Sequence, residues 1–308
     1  MHFYNLKILC YHGITNTISN GIENYSGKHI DEKIFYQQIS FLKQNCSVIS
    51  MDEVAEIILK KKTWPKNPIA LTFDDGFKNN KEVAAPILQD FAAPATFYIC
   101  PGMVGRDEIF WVDKVEACIN LTKEKSIIID LNGDKEFFLT SLQSKINAVQ
   151  RIKNFCKNIH STSKDKVIEE LINKCGINPN STFAKNYEIM NWDEVNELNK
   201  SSLFSIGGHS NHHEIFTQQD RVAIREDIQD SLKKLEFHLG QATQHYSYPE
   251  GQLNHFDDFV IDQLKECKIK CCPSSVEGSN HGAIDLFRLK RYMVGFEELI
   301  FEEIFLHD

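Results

Sequence analysis

Short apolar runs recur along this chain with amphipathic, helix-spaced stretches between them, and this alternation limits the fold more than any other feature. Leu6–Tyr11 reads as a first strand, followed by a polar loop and a helix from about Ile34 to Asn45. Cys46–Ile49 is the next apolar run. Ser50-Met51-Asp52-Glu53 after it has the form of a capping box and opens a helix to about Lys61. Ile69–Phe73 and Ala95–Cys100 read as strands around a helix from about Lys81 to Phe91. Leu203–Gly207, His245–Tyr248, Ile269–Cys272 and Leu289–Val294 complete the set. Strands that alternate with helices point to a parallel sheet, open or closed, and so to the α/β class. From about Asp134 to Lys200 the alternation stops. Ile146, Val149, Ile152, Phe155 and Ile159, then Val167, Ile168, Leu171, Ile172 and Cys175, repeat at helical spacing. They predict a mainly helical insertion at about 134–200 within a single domain spanning 1–308. Asn191-Trp192-Asp193-Glu194 then caps another helix.

The apolar run Ile69–Phe73 ends in Asp74-Asp75-Gly76. Two adjacent carboxylates at the end of a buried strand repel each other and resist desolvation, so a metal or another cation is needed beside them. Gly76 allows a sharp exit from the strand. Far downstream, His209-Ser210-Asn211-His212-His213 offers two imidazoles at i and i+4, spaced for one side of a helical turn. Asp75, His209 and His213 would form a metal site of two histidines and one carboxylate, leaving Asp74 as a base. His212 is the spare histidine, and Ser210 is expected to bond within the turn. His12, Asp74, Asp75, His209 and Pro249 all fall just after a predicted strand. In barrels, the carboxyl ends of the strands form the catalytic face.

Thr72-Phe73-Asp74-Asp75-Gly76 resembles the first motif of the NodB-like polysaccharide deacetylases. His209-Ser210-Asn211-His212-His213 resembles the second, and Tyr248-Pro249-Glu250-Gly251 a reduced third. The resemblance runs from about Lys7 to about Val294 with one insertion. It implies a distorted (β/α) barrel of about seven parallel strands and a metal-dependent hydrolase that removes N-acetyl groups from an amino sugar. It also implies Asp74 as general base and the Glu250 backbone N–H as oxyanion donor, with Tyr248 and Pro249 at the substrate. The family's third motif usually carries an arginine two positions before the proline, and here Ser247 stands there. Arg291 or Arg288 could replace it. Arg291 is the first choice, because Phe287-Arg288-Leu289-Lys290-Arg291 resembles a late motif of some branches. Many members use a late Leu-x-His as acid, which this chain lacks. Cys10-Tyr11-His12-Gly13 instead resembles the early histidine of the poly-N-acetylglucosamine deacetylase branch and makes His12 the expected general acid. Trp111 is a candidate sugar platform, since an aromatic face stacks on a pyranose.

Two imidazoles and a carboxylate suit zinc, and also iron, cobalt or nickel. A formal net charge of −9 disfavours nucleic acid as a partner. No apolar run approaches the ~20 residues of a membrane span. Met1-His2-Phe3-Tyr4-Asn5 lacks the pattern of a secretory leader, and nine scattered cysteines read as reduced, so a cytoplasmic enzyme is expected. The expected substrate is an N-acetylated carbohydrate, such as a precursor of a cell-surface polysaccharide. Two alternatives stay open: a deformylase or O-acetyl esterase on the same scaffold, and a catalytically inactive carbohydrate-binding protein.

Overall fold

The computed structural model describes residues 5–180, 184–296 and 301–305. In chain order the elements begin with β1 (Lys7–Tyr11), β2 (Gly13–Thr15), β3 (His29–Asp31), α1 (Glu32–Asn45), β4 (Ser47–Ile49), α2 (Met51–Lys60) and β5 (Pro68–Phe73). A π-helical turn, Asn80–Ala84, runs into α3 (Ala85–Asp90), followed by β6 (Ala95–Ile99), α4 (Trp111–Leu121), β7 (Ser126–Leu131) and β8 (Asp134–Phe138). Then come α5 (Leu142–Cys156), α6 (Ser161–Cys175), α7 (Trp192–Asn199), β9 (Phe204–Gly208), α8 (Arg221–Leu239), α9 (Asp258–Glu266) and β10 (Tyr292–Met293). Helix starts follow their local chemistry. Ser50 Oγ accepts from the Glu53 N–H at 3.1 Å, and Glu53 accepts from the Ser50 N–H at 2.9 Å, so both orphan donors at the start of α2 are satisfied. Asn191 and Glu194 form the same box at α7.

The first compact unit takes in the chain up to Asn16, Ser26–Gly105, and everything from Ile189 onward. Its sheet has the order β10-β1-β5-β6-β9, with β4 also on β5, and every pair is parallel. Parallel sheets need both faces covered, and the strands here alternate between two apolar clusters. Leu9, Tyr11, Leu71, Phe73, Phe97 and Ile99 join residues of α1, α3 and α7 on one side. Ile8 and Ala70 join Met51, Val54, Tyr246, Val260, Leu264 and Leu289 on the other. Each fully buried large side chain contributes about 1.5–3 kcal/mol. Beyond β9, single parallel bridges Gly208–Tyr246, His245–Cys271 and Pro273–Leu289 carry the pairing back to the segment that holds β10. The expected strands at 245–248 and 269–272 are therefore reduced to isolated bridges. Pro249 and Pro273 have no N–H for a ladder, which stops regular pairing.

The second unit comprises Thr17–Tyr25 and Arg106–Glu188. It holds α4, the antiparallel hairpin β7–β8, α5 and α6 around Trp111, Val115, Ile119, Ile129, Val149, Ile152 and Leu171. The expected insertion at 134–200 covers α5 and α6 but misplaces both ends. α4 and β7 come earlier in the chain yet bury their apolar faces here, and α7 belongs to the first unit. Among the described residues, no helix is long and apolar enough to cross a membrane. All nine cysteines are free thiols.

Candidate active site

β5 delivers the carboxylate pair. The Asp74 N–H donates to the Tyr11 carbonyl at 2.9 Å, which continues the β1–β5 ladder one residue past the strand. The chain then leaves through two residues at positive φ, Asp75 at 78° and Gly76 at 85°. A Cβ at Gly76 would lie 2.9 Å from Ile99 Cγ2, so only glycine fits this exit. The site's loops hold three more non-glycine residues in the left-handed region: Ser210 at 55°, His213 at 59° and Glu250 at 58°. Strain of this kind persists only where surrounding structure enforces it, and it gathers at functional sites.

Arg291, fully buried, clamps Asp74 with both arms of its guanidinium, Nη1 to Oδ1 at 2.8 Å and Nη2 to Oδ2 at 2.7 Å. Its remaining donors go to the Ser274 carbonyl at 2.7 Å, Thr72 Oγ1 at 3.1 Å and Ser247 Oγ at 3.0 Å. Ser247 Oγ also donates to Asp74 Oδ2 at 3.3 Å. Burial, the largest single influence, would push the Asp74 carboxyl up, but the Arg291 guanidinium together with His209 and His12 holds the group down at about 2. The serine at the third motif's arginine position thus meets an arginine that arrives from β10's side of the sheet. Arg288 lies at the surface with Asp258 and Asp285.

His209 and His213 do not lie on a helix as their spacing suggested. Residues 209–213 form a turn, and its left-handed residues aim both imidazoles at Asp75. His209 Nε2 is 3.5 Å and His213 Nε2 3.3 Å from Asp75 Oδ1. One donor atom from each of the three residues falls within 4.8 Å of the others. Asp75 Oδ1 is buried and accepts no hydrogen bond among the described residues. His209 Nδ1 pairs with the Ser247 carbonyl at 2.9 Å, which requires a proton on Nδ1 and directs Nε2 to the carboxylates. Burial pushes His209 down, but Asp74 and Asp75 overrule it and raise the imidazole above its ordinary value. The same carboxylates would favour a divalent cation at that nitrogen. Burial takes His213 down to about 4, leaving its ring neutral near pH 7. Burial would raise the Asp75 carboxyl, yet His213 and His209 hold it far below the usual carboxylate range. Two imidazoles, one anionic oxygen without a hydrogen bond and a fixed tautomer fit a divalent cation.

The turn is fastened from behind by residues the motifs do not include. The Ser210 N–H donates to the Tyr246 hydroxyl at 2.8 Å, and Ser231 Oγ shares that hydroxyl at 3.0 Å. Ser210 Oγ accepts from the Glu214 N–H at 3.1 Å, the bond expected within the turn. Asp227 Oδ1 accepts from the Asn211 N–H at 2.9 Å, and Asp230 Oδ2 from Asn211 Nδ2 at 2.6 Å. Asp227, Asp230, Ser231 and Lys234 recur at helical spacing on α8, a polar face that could have pointed to this role. His212 turns to Gly102, where a Cβ would lie 2.5 Å from its Cε1.

His12 follows β1, its ring edge-on to Phe296 with centroids 5.4 Å apart. Its Nδ1 is buried and has no hydrogen-bond partner among the described residues. Burial lowers the His12 pKa, with Asp75 and Asp74 opposing, so the resting ring is biased to the neutral form. Pro249 is buried, and Glu250 beside it stands close enough to His213 to act on its charge. Two expected substrate contacts are packed into apolar cores. Tyr248 is buried, stacked on Phe256 at 3.9 Å, with its hydroxyl on the Phe287 carbonyl at 3.0 Å. Trp111 is 7% exposed in the apolar cluster of the second unit, with the Lys164 ammonium 5.5 Å from its ring centre. Protein atoms cover both rings, which leaves no open face for a sugar.

A parallel α/β frame carrying a donor set suited to a cation beside a separate, ionised carboxylate defines the class: an α/β protein with a buried polar site at the carboxyl ends of its strands. The chain belongs to the polysaccharide deacetylase family, whose sequence model matches residues 61–127 and 159–272, more than half of its length. It is 26% identical over 195 residues to the poly-beta-1,6-N-acetyl-D-glucosamine N-deacetylase of Staphylococcus aureus, across 60% of this chain and 61% of that protein. The chain thus matches less than two thirds of the length of these curated relatives. In fold it is similar to the Streptococcus pyogenes deacetylase PplD, solved in complex with acetate. There the TM-score is 0.63 at 17% identity, covering 98% of this chain and 97% of that one. For IcaB from Ammonifex degensii the TM-score is 0.60 at 16% identity, covering 94% and 92%.

Proposed function

We propose that this protein is a metal-dependent carbohydrate N-deacetylase that hydrolyses the acetamido group of an amino sugar in a glycan or glycan precursor and releases acetate. The observation that carries the reading is Asp74 held ionised by Arg291 next to the Asp75–His209–His213 set. The bridges that return from β9 to β10 support a closed, distorted barrel as the frame. Asp75, His209 and His213 would hold the cation, and their nitrogen and oxygen donors suit zinc, iron, cobalt or nickel. Such a cation supplies Lewis-acid polarisation of the acyl oxygen and acidifies water.

Asp74 takes a proton from the attacking water. The Arg291 clamp keeps it ionised and limits it to one orientation, and a positioned base contributes about 10²–10⁴-fold. The Glu250 backbone N–H, turned by its left-handed φ, is the donor for the developing oxyanion. His12 gives a proton to the departing amine nitrogen. Because its resting ring is biased to neutral, it gains that proton during turnover. Ser247 ties the two halves together, its hydroxyl on Asp74 and its carbonyl on His209. The alternative of an inactive binding protein draws on the missing arginine at position 247 and the missing late histidine; Arg291 supplies the first charge, and His12 is the group proposed in place of the second.

The test is acetate release from a panel of N-acetylated amino sugars and their oligomers, with metal-loaded wild type beside Asp74→Asn. Wild type releases acetate, and the variant keeps its metal but turns over about 10²–10⁴-fold more slowly. Release of formate, or of acetate from O-acetyl esters alone, would replace this reading with a deformylase or esterase.

A further inference from the structure

A second trio of donors stands beside the first. Cys10 lies in β1 and His12 directly follows the strand, two residues on, the spacing at which side chains of an extended chain share a face. The β1–β5 register pairs Cys10 with Thr72, which brings Asp74 alongside His12. One donor atom each from Cys10, His12 and Asp74 falls within 4.8 Å of the others. Cys10 and Asp74 are buried, and His12 has a buried Nδ1 with no hydrogen-bond partner among the described residues.

We propose that Cys10, His12 and Asp74 form a second metal site, adjacent to the two-histidine, one-carboxylate set, which takes a thiophilic divalent cation such as zinc, cobalt or cadmium. A sulfur donor with an imidazole and one carboxylate selects these ions over magnesium or calcium. Arg291 occupies one edge of Asp74 through both oxygens, at 2.8 and 2.7 Å. A carboxylate offers about four lone-pair directions, so an ion can still reach it. The guanidinium charge makes this site the weaker of the two, filled second. Binding releases the Cys10 thiol proton to solvent as the sulfur–metal bond forms. An ion here engages Asp74 and His12 together. If those two are base and acid as proposed above, excess metal silences hydrolysis.

Metal-free protein is titrated with Co²⁺, following stoichiometry by native mass spectrometry and the near-ultraviolet spectrum. The first equivalent has only nitrogen and oxygen donors and brings no sulfur-to-cobalt charge-transfer band. A second equivalent brings that band. Cys10→Ser keeps the first equivalent, which shows that it folds, and loses the second with its band. His12→Ala, which removes a different donor, loses the same second equivalent. A single equivalent in wild type, or a thiolate band that survives in Cys10→Ser, overturns the proposal. The titration uses no substrate, so it stands or falls separately from acetate release.

Discussion

Asp74 and Arg291 are 217 positions apart in the chain and share two hydrogen bonds with no water between them. The net worth of such a buried pair is small, but breaking it from one side leaves an uncompensated charge. Arg291→Met is therefore expected to destabilise the fold by about 3–5 kcal/mol in urea denaturation. Adding Asp74→Asn to Arg291→Met removes the stranded charge and recovers most of that stability, while activity stays lost. A double variant as unstable as the single one would mean that packing, not charge, explains the arginine. At this scale the sequence was informative where chemistry is local. Asp74-Asp75-Gly76 follows an apolar run, and a carboxylate pair there has few structural uses. Even Arg291 could be named, through the likeness of Phe287-Arg288-Leu289-Lys290-Arg291 to a late motif of some branches. Trp111 and Tyr248 were misread because an aromatic ring looks the same in sequence whether it faces a sugar or a core. Only the packing of α4 and of Phe256 decides.

Among elements, the capped helices were the most legible, because a box such as Ser50–Glu53 is complete within four residues. The strands near 245 and 270 were not, since apolar character does not report where prolines interrupt the ladder. One contact joins these two kinds of segment. The first turn of α2 places Asp52 Oδ1 2.8 Å from His245 Nε2, and His245 Nδ1 lies 3.0 Å from Cys271 Sγ. Burial pushes His245 down, but Cys271 and Asp52 overrule it and carry the imidazole up to about 10. The His245 hydrogen bond holds Asp52 down at about 2. His245 therefore adds stability that is complete below its unfolded value of about 6.5 and fades as pH rises through about 10. Asp52 adds stability that is complete above about 3.9 and fades as pH falls through about 2. Denaturation from pH 2 to 10 should show the difference between wild type and Asp52→Asn shrinking at both extremes. A pH-independent difference would rule out the ion pair. A second element-level contact bears on the proposed metal site. Tyr246→Phe removes the acceptor of the Ser210 N–H beside the ligand turn, and outer-shell losses of this kind typically weaken metal binding about 10–100-fold. Competition with a chromophoric chelator measures it.

For the whole molecule, a cation that binds only the folded chain stabilises it by mass action, by about 4 kcal/mol at a thousandfold excess over its Kd. Chelation should accordingly lower the thermal midpoint by several degrees, and re-added metal should restore it. In Asp75→Asn, which weakens the first donor set, the midpoint should respond much less to chelator. The clamp on Asp74 has one more consequence, for the order in which the molecule can be made. The first motif is synthesised early, but its counter-charge waits at residue 291, just before β10. A chain still emerging from the ribosome, or cut short before residue 291, would have to bury a lone anion at its centre. On the reading proposed above, the segment around residue 291 acts as a countersignature: a product cut short before it would stay silent rather than hydrolyse with half a site.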